Sequence, residues 1–103
     1  MTESQLLRDV IRALYPYCVL YRINVGSVKT ADGRRFSTGA PAGYSDLSGY
    51  RKSDGRAVFI ECKLAYNKPS EKQAAFLEKA KQNHCLCGVA RSVEEALQII
   101  MGD

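Results

Sequence analysis

From Ala57 to Leu64 the chain reads Ala-Val-Phe-Ile-Glu-Cys-Lys-Leu, an apolar run broken only by Glu61 and Lys63. A run this short and this rich in branched and aromatic residues predicts a strand with substantial burial. Side chains alternate along a strand, so Val58, Ile60, Cys62 and Leu64 share one face and Ala57, Phe59, Glu61 and Lys63 the other. Glu61 and Lys63 then project side by side, roughly 6–7 Å apart. A carboxylate and an ammonium at the end of an apolar strand are costly unless they are paired or put to use. Upstream, Gly43-Tyr44-Ser45-Asp46 leads into a second strand-like segment, Leu47–Arg51, and supplies another carboxylate. Lys52-Ser53-Asp54-Gly55 is a tight-turn sequence. It makes the two strands antiparallel neighbours and brings Asp46 to the same sheet end as Glu61 and Lys63.

The remaining segments predict a sheet with helices packed on it. Residues 2–15 read as a helix, with Thr2 and Gln5 as a capping box and Leu6, Leu7, Val10, Ile11 and Leu14 as the inward stripe. Pro16 ends it. Glu3 sits above that stripe. Two readings of it stand: a first-turn carboxylate favoured by the helix dipole, or a carboxylate delivered to the site. Cys18–Val25 reads as the first strand, closed by Gly26. Asp32-Gly33 is a turn signal, and Ser37–Gly43 is an uncharged loop that either admits a phosphate backbone beside Asp46 or simply connects. Pro69-Ser70 opens a helix to about Asn83, capped by Ser70 with Gln73. The spacing of Gln73, Phe76, Leu77 and Ala80 turns Gln73 inward with the apolar residues. Cys85–Arg91 is a fourth strand, and Ser92 caps a last helix whose inner stripe is Val93, Ala96, Leu97 and Ile100. The expected fold is α/β, a single domain over residues 1–103 with element order αβββαβα and a mixed β-sheet flanked by helices.

Bulk properties narrow the partners. A chain of 103 residues, 46% hydrophobic and 25% charged, has the composition of one globular domain rather than of a disordered segment. Its net charge of +4 favours a polyanionic partner. No apolar run reaches the roughly 20 residues of a bilayer span. The start, Met-Thr-Glu-Ser-Gln, lacks signal-peptide character, so a cytoplasmic protein is expected. Of the four cysteines, Cys18 and Cys62 fall in apolar strands and read as buried thiols. His84-Cys85-x-Cys87 has zinc-ligand residue types. It lacks a second ligand pair at suitable spacing, so reduced core thiols are the expectation.

Hydrolysis of a phosphodiester needs an activated water and neutralised phosphoryl charge, which Mg²⁺ or Mn²⁺ supplies when held by hard oxygen ligands. Asp46 and Glu61 are the candidate ligands, joined by the Cys62 backbone carbonyl. Lys63 beside them can orient or deprotonate the water and offset developing charge. The ordered set of Gly43-Tyr44-Ser45-Asp46, Glu61-Cys62-Lys63, Ser70-x-x-Gln73, Tyr21–Gly26, Val89–Ala96 and Glu3 resembles the PD-(D/E)XK nuclease superfamily. Within it the likeness is to the VRR-NUC branch, which includes small stand-alone phage and bacterial nucleases. That resemblance implies a restriction-endonuclease-like fold and a Mg²⁺- or Mn²⁺-dependent DNA endonuclease. Asp46 and Glu61 would bind metal, Lys63 would be catalytic, Gln73 would support the site, and Glu3 would add a further carboxylate. It also implies a homodimer acting on branched or duplex DNA, with Holliday-junction resolvase-like selectivity.

Two departures stand out: Ser45 where the family usually has proline, and Asn67-Lys68-Pro69 in place of a glycine-containing link. Arg22, Arg34, Arg35 and Lys68 are the candidate phosphate contacts. They would equally serve a second class, a non-catalytic DNA-binding module derived from a nuclease fold. The intact carboxylates weigh against that class, because acidic groups facing phosphates gain a binder nothing.

Overall fold

The computed structural model describes residues 1–23, 27–29, 31, 33, 35–37 and 39–102, with only the backbone described for 27–29 and 35–37. In chain order the elements are α1 (Glu3–Leu14), β1 (Cys18–Arg22), β2 (Ser27–Lys29), β3 (Arg35–Ser37), β4 (Leu47–Arg51), β5 (Ala57–Cys62), α2 (Glu71–Gln82), β6 (Leu86–Ala90) and α3 (Val93–Ile100). Each helix starts where its capping residue stands. The Thr2 hydroxyl accepts from the Gln5 amide at 3.2 Å, and the Gln5 side-chain oxygen accepts from the Thr2 amide at 2.7 Å. This reciprocal pairing satisfies two amides that the first turn would otherwise leave open. Ser92 caps α3 through the Glu95 amide at 3.1 Å.

Four strands form one mixed sheet in the order β1-β4-β5-β6, antiparallel except for the β5–β6 pair. The parallel pair is the consequence of the α2 crossover, as the expected element order requires. Two features differ from expectation. Of the strand expected over Cys18–Val25, the described residues pair through Arg22, and Ile23 continues only by donating its amide to the Asp46 carbonyl at 2.9 Å. Asn24, Val25 and Gly26 lie outside the described residues. Asp32 of the expected Asp32-Gly33 turn lies outside the described residues, and the segments on either side pair as a separate two-stranded hairpin, β2–β3.

Strand alternation decides which helix covers which face. Val58, Ile60 and Cys62 of β5 are fully buried with Leu6, Leu7, Val10 and Leu14 of α1 and Ala96 and Ile100 of α3. Phe59 alternates with them and meets Phe76 of α2 edge-on at 5.2 Å. So α1 and α3 cover one face and α2 the other. Gly49 in β4 lets β1 approach: a Cβ there would lie 1.8 Å from the Val19 carbonyl oxygen. No side chain fits in that space. Among the described residues no helix is long and apolar enough to cross a membrane.

Candidate active site

The β4–β5 register sets Leu47 opposite Ile60 and Ser48 opposite Phe59, so the next residues outward, Asp46 and Glu61, meet at the ladder's end. There the side chains take over from the backbone. Glu61 Oε2 accepts from the Asp46 amide at 3.2 Å, and Asp46 Oδ2 accepts from the Cys62 amide at 3.0 Å. Each carboxylate is thus held by a main-chain N–H on or beside the other, and both stand on the α2 face of the sheet. Lys63 follows on the same face, with Nζ 4.0 Å from Glu61 Oε1.

Gln73 reaches this point because of how α2 begins. Its side-chain oxygen accepts from the Ser70 amide at 2.8 Å while Ser70 Oγ accepts from the Gln73 amide at 3.1 Å. With its oxygen engaged in the cap, the Gln73 side-chain N–H₂ is aimed into the sheet, where it donates to Glu61 Oε1 at 3.0 Å. The helix cap and the site therefore share one residue.

The electrostatics follow from burial. Glu61 is 1% exposed. Desolvation, then the hydrogen bond and negative charge of Asp46, push its carboxyl up to about 8, against the opposing pull of Lys63 and the Asp46 amide. The adjacent Cys62 thiol, fully buried on the core side, is pushed up to about 12 by desolvation and by the charges of Asp46, Glu61 and Glu3. The field of Glu3 thus reaches this end of the sheet from the N-terminal turn of α1, where Glu3 is half-buried. Among the described residues no three His, Cys, Asp or Glu side chains are gathered closely enough to share a metal ion. The acidic donors brought together directly are Asp46 and Glu61.

Other candidates fall around this centre. Arg22 is exposed at the end of β1, opposite Leu47. Lys68 is exposed in the connection between β5 and α2. Arg34 lies outside the described residues, and of Arg35 only the backbone, in β3, is described. Cys85 and Cys87 are free thiols, half-buried, and Cys87 donates weakly to the Leu77 carbonyl at 3.4 Å.

Three supports were not read as such from the chain. Ser45 is fully buried, and its Oγ donates to the Leu47 carbonyl at 2.8 Å. This local bond shapes the backbone just before and after Asp46. Arg91 donates to the Leu64 and Asn67 carbonyls at 2.8 and 2.6 Å, pinning the turn that follows Lys63. The Tyr44 ring packs 4.9 Å from Phe76 and 5.9 Å from Phe59, an aromatic cluster on the α2 face of the sheet. Gly43 precedes it at φ +91°, where a Cβ would lie 2.5 Å from the Lys72 carbonyl oxygen. The loop can approach α2 this closely only without a side chain.

Size alone does not locate the chemistry. A concavity of about 600 Å³ is lined by Tyr17, Arg51, Lys52, Ile100 and Met101. It sits at the opposite end of β4, roughly 16 Å from Asp46 by strand rise. In comparisons with known proteins, no protein-family model matches the chain and no curated protein matches it.

Proposed function

We propose that this chain is a metal-dependent DNA endonuclease of the VRR-NUC type within the PD-(D/E)XK superfamily. The mixed sheet with helices on both faces supports a restriction-endonuclease-like fold. One observation carries the reading: at the end of neighbouring strands the Glu61 carboxylate accepts from the Asp46 amide and the Asp46 carboxylate from the Cys62 amide, with Lys63 4.0 Å from the Glu61 carboxylate.

The donor set fits Mg²⁺ or Mn²⁺. Two carboxylates and the neighbouring Cys62 carbonyl are hard oxygen ligands. The carboxylates are crowded enough that Glu61 retains a proton well above the ordinary range, and a divalent cation would relieve that crowding in the proton's place. Asp46, Glu61 and the Cys62 carbonyl would hold the ion, which supplies Lewis acidity and an activated water when bound. The Cys62 amide orients Asp46, and Gln73 orients Glu61. Lys63 projects from the same face, where its ammonium orients the attacking water and offsets charge developing on the phosphoryl oxygens. A single chain offers one such site. Cutting both strands of a duplex or junction needs two, so the functional unit in this reading is a symmetric homodimer.

The test is a cleavage panel of single-stranded, duplex, flap and four-way-junction DNA with Mg²⁺ and with Mn²⁺. Cleavage is expected with either ion, greatest on branched DNA and abolished by EDTA. Lys63→Ala and Asp46→Asn are each expected to slow it by at least about 10²–10³-fold, the scale of losing one group that stabilises transition-state charge. Full activity in EDTA, or undiminished activity of both variants, refutes the nuclease reading.

A further inference from the structure

The surface along one flank of α1 is grooved. Its concavities run from Ser4, Arg8 and Arg22 at the catalytic end, past Arg12, to Tyr15 and Lys52 beside β1. Neighbouring concavities share Arg8, Ile11 or Tyr15, so they follow one another along the flank between helix and strand. Arg8 and Arg12 stand one helical turn apart, and both are exposed. Like charges at this spacing cost a few tenths of a kcal/mol. Among the described residues neither arginine takes part in an ion pair; the pairs there are Arg51–Asp54 and Lys63–Glu61.

Both ends of this flank are fixed. At the far end Lys52 Nζ donates to the Tyr15 carbonyl at 2.9 Å and lies 4.9 Å over the Tyr15 ring. That ring is 72% exposed. At the near end Arg22 pairs with Leu47, the residue after Asp46. Along the way Arg8, Arg12, Arg22 and Lys52 line these concavities, and among the described residues no carboxylate lines them, on a chain whose whole net charge is +4.

We propose that this α1–β1 groove carries the phosphate backbone of the DNA strand that leads to the Asp46–Glu61 site. The inference deepens the nuclease reading and rests on it for which strand is bound. Ser4 to Tyr15 spans roughly 16 Å of helix. That length matches a short run of consecutive phosphates on one strand of a duplex. Arginine suits the task because its planar fork binds phosphate oxygens in pairs. The exposed Tyr15 ring offers a stacking surface where the duplex opens.

The experiment is a salt titration of DNA binding, followed by the fluorescence anisotropy of a short fluorescein-labelled duplex in EDTA. The Arg8→Ala/Arg12→Ala variant is expected to bind more weakly at every salt concentration. Its slope of log affinity against log salt should fall by about 1.8, the release of two counterions on duplex DNA. Lys79→Ala/Lys81→Ala removes the same charge from α2 and is expected to leave the slope unchanged. Arg8→Lys/Arg12→Lys should keep most of it, and circular dichroism verifies that each variant is folded.

Wild-type affinity and slope in the Arg8→Ala/Arg12→Ala variant overturn the groove, as does an equal loss in the α2 control. If DNA is cleaved while the groove variant binds normally, the groove fails and the nuclease reading stands. If binding depends on the groove but no metal supports cleavage, the groove stands and the nuclease reading fails.

Discussion

Glu61 is the residue at which burial and charge conflict most directly. Its partners, the Asp46 amide and Gln73, satisfy its oxygens but do not remove the neighbouring Asp46 charge. The consequence for pH follows from linkage. The folded protein holds the Glu61 proton up to about 8, whereas the unfolded chain releases it near 4.5. This residue's contribution to stability is therefore fully present below 4.5 and is lost as pH rises through 8. Glu61→Gln keeps the shape and a hydrogen-bonding oxygen without the charge. In metal-free protein it is expected to match wild type at low pH and exceed it above pH 8, by on the order of a few kcal/mol, while losing cleavage. Urea denaturation across this range measures it. Identical pH profiles for the two proteins would show that Glu61 carries no buried charge to relieve.

At the scale of an element, α2 couples its own start to the site through Gln73, and two substitutions separate the roles. Ser70→Ala removes the hydroxyl that accepts the Gln73 amide but leaves the Ser70-position amide free to hold the Gln73 oxygen. It is expected to cost about 1 kcal/mol of stability, as lost caps do, with cleavage within a few-fold of wild type. Gln73→Ala also removes the donor to Glu61. It is expected to cost a similar amount of stability and to lower cleavage about tenfold or more, the scale on which supporting contacts around a metal site act. Thermal denaturation and initial rates on the same preparations distinguish the two. Equal activity in both variants would reduce Gln73 to a capping residue.

For the whole molecule, the sheet presents β1 and β6 at its two edges, and the candidate site residues Asp46 and Glu61 stand at the end of its middle pair. An arrangement with one site per chain acts on two strands only by assembling. Light scattering at micromolar concentration is expected to give twice the 11.4 kDa mass of the chain. A monomer under those conditions would leave the proposed enzyme a single-strand cutter.

Much of this was legible in the linear chain, because it depends on period and on local chemistry. The alternation Val58, Ile60, Cys62 fixed the buried face of β5, and Thr2/Gln5, Ser70/Gln73 and Ser92 marked the helix starts, since caps act within three residues. The turn at Lys52–Gly55 determined that Asp46 and Glu61 would meet, and helical spacing turned Gln73 inward. The β2–β3 hairpin was foreseen only as a turn, its strands being too short to show a period. The tertiary structure alone decided how completely Glu61 is withdrawn from water, because that depends on segments packed around it, Gln73 of α2 among them. It alone decided that the buried Ser45 hydroxyl bonds across Asp46 to the Leu47 carbonyl and that Arg91, distant in sequence, ties down the turn beyond Lys63. It also gathered Arg8, Arg12, Arg22 and Lys52, unremarkable apart, along one groove. Spacing along a chain dictates which way a side chain points; what it meets there depends on segments that only packing brings alongside.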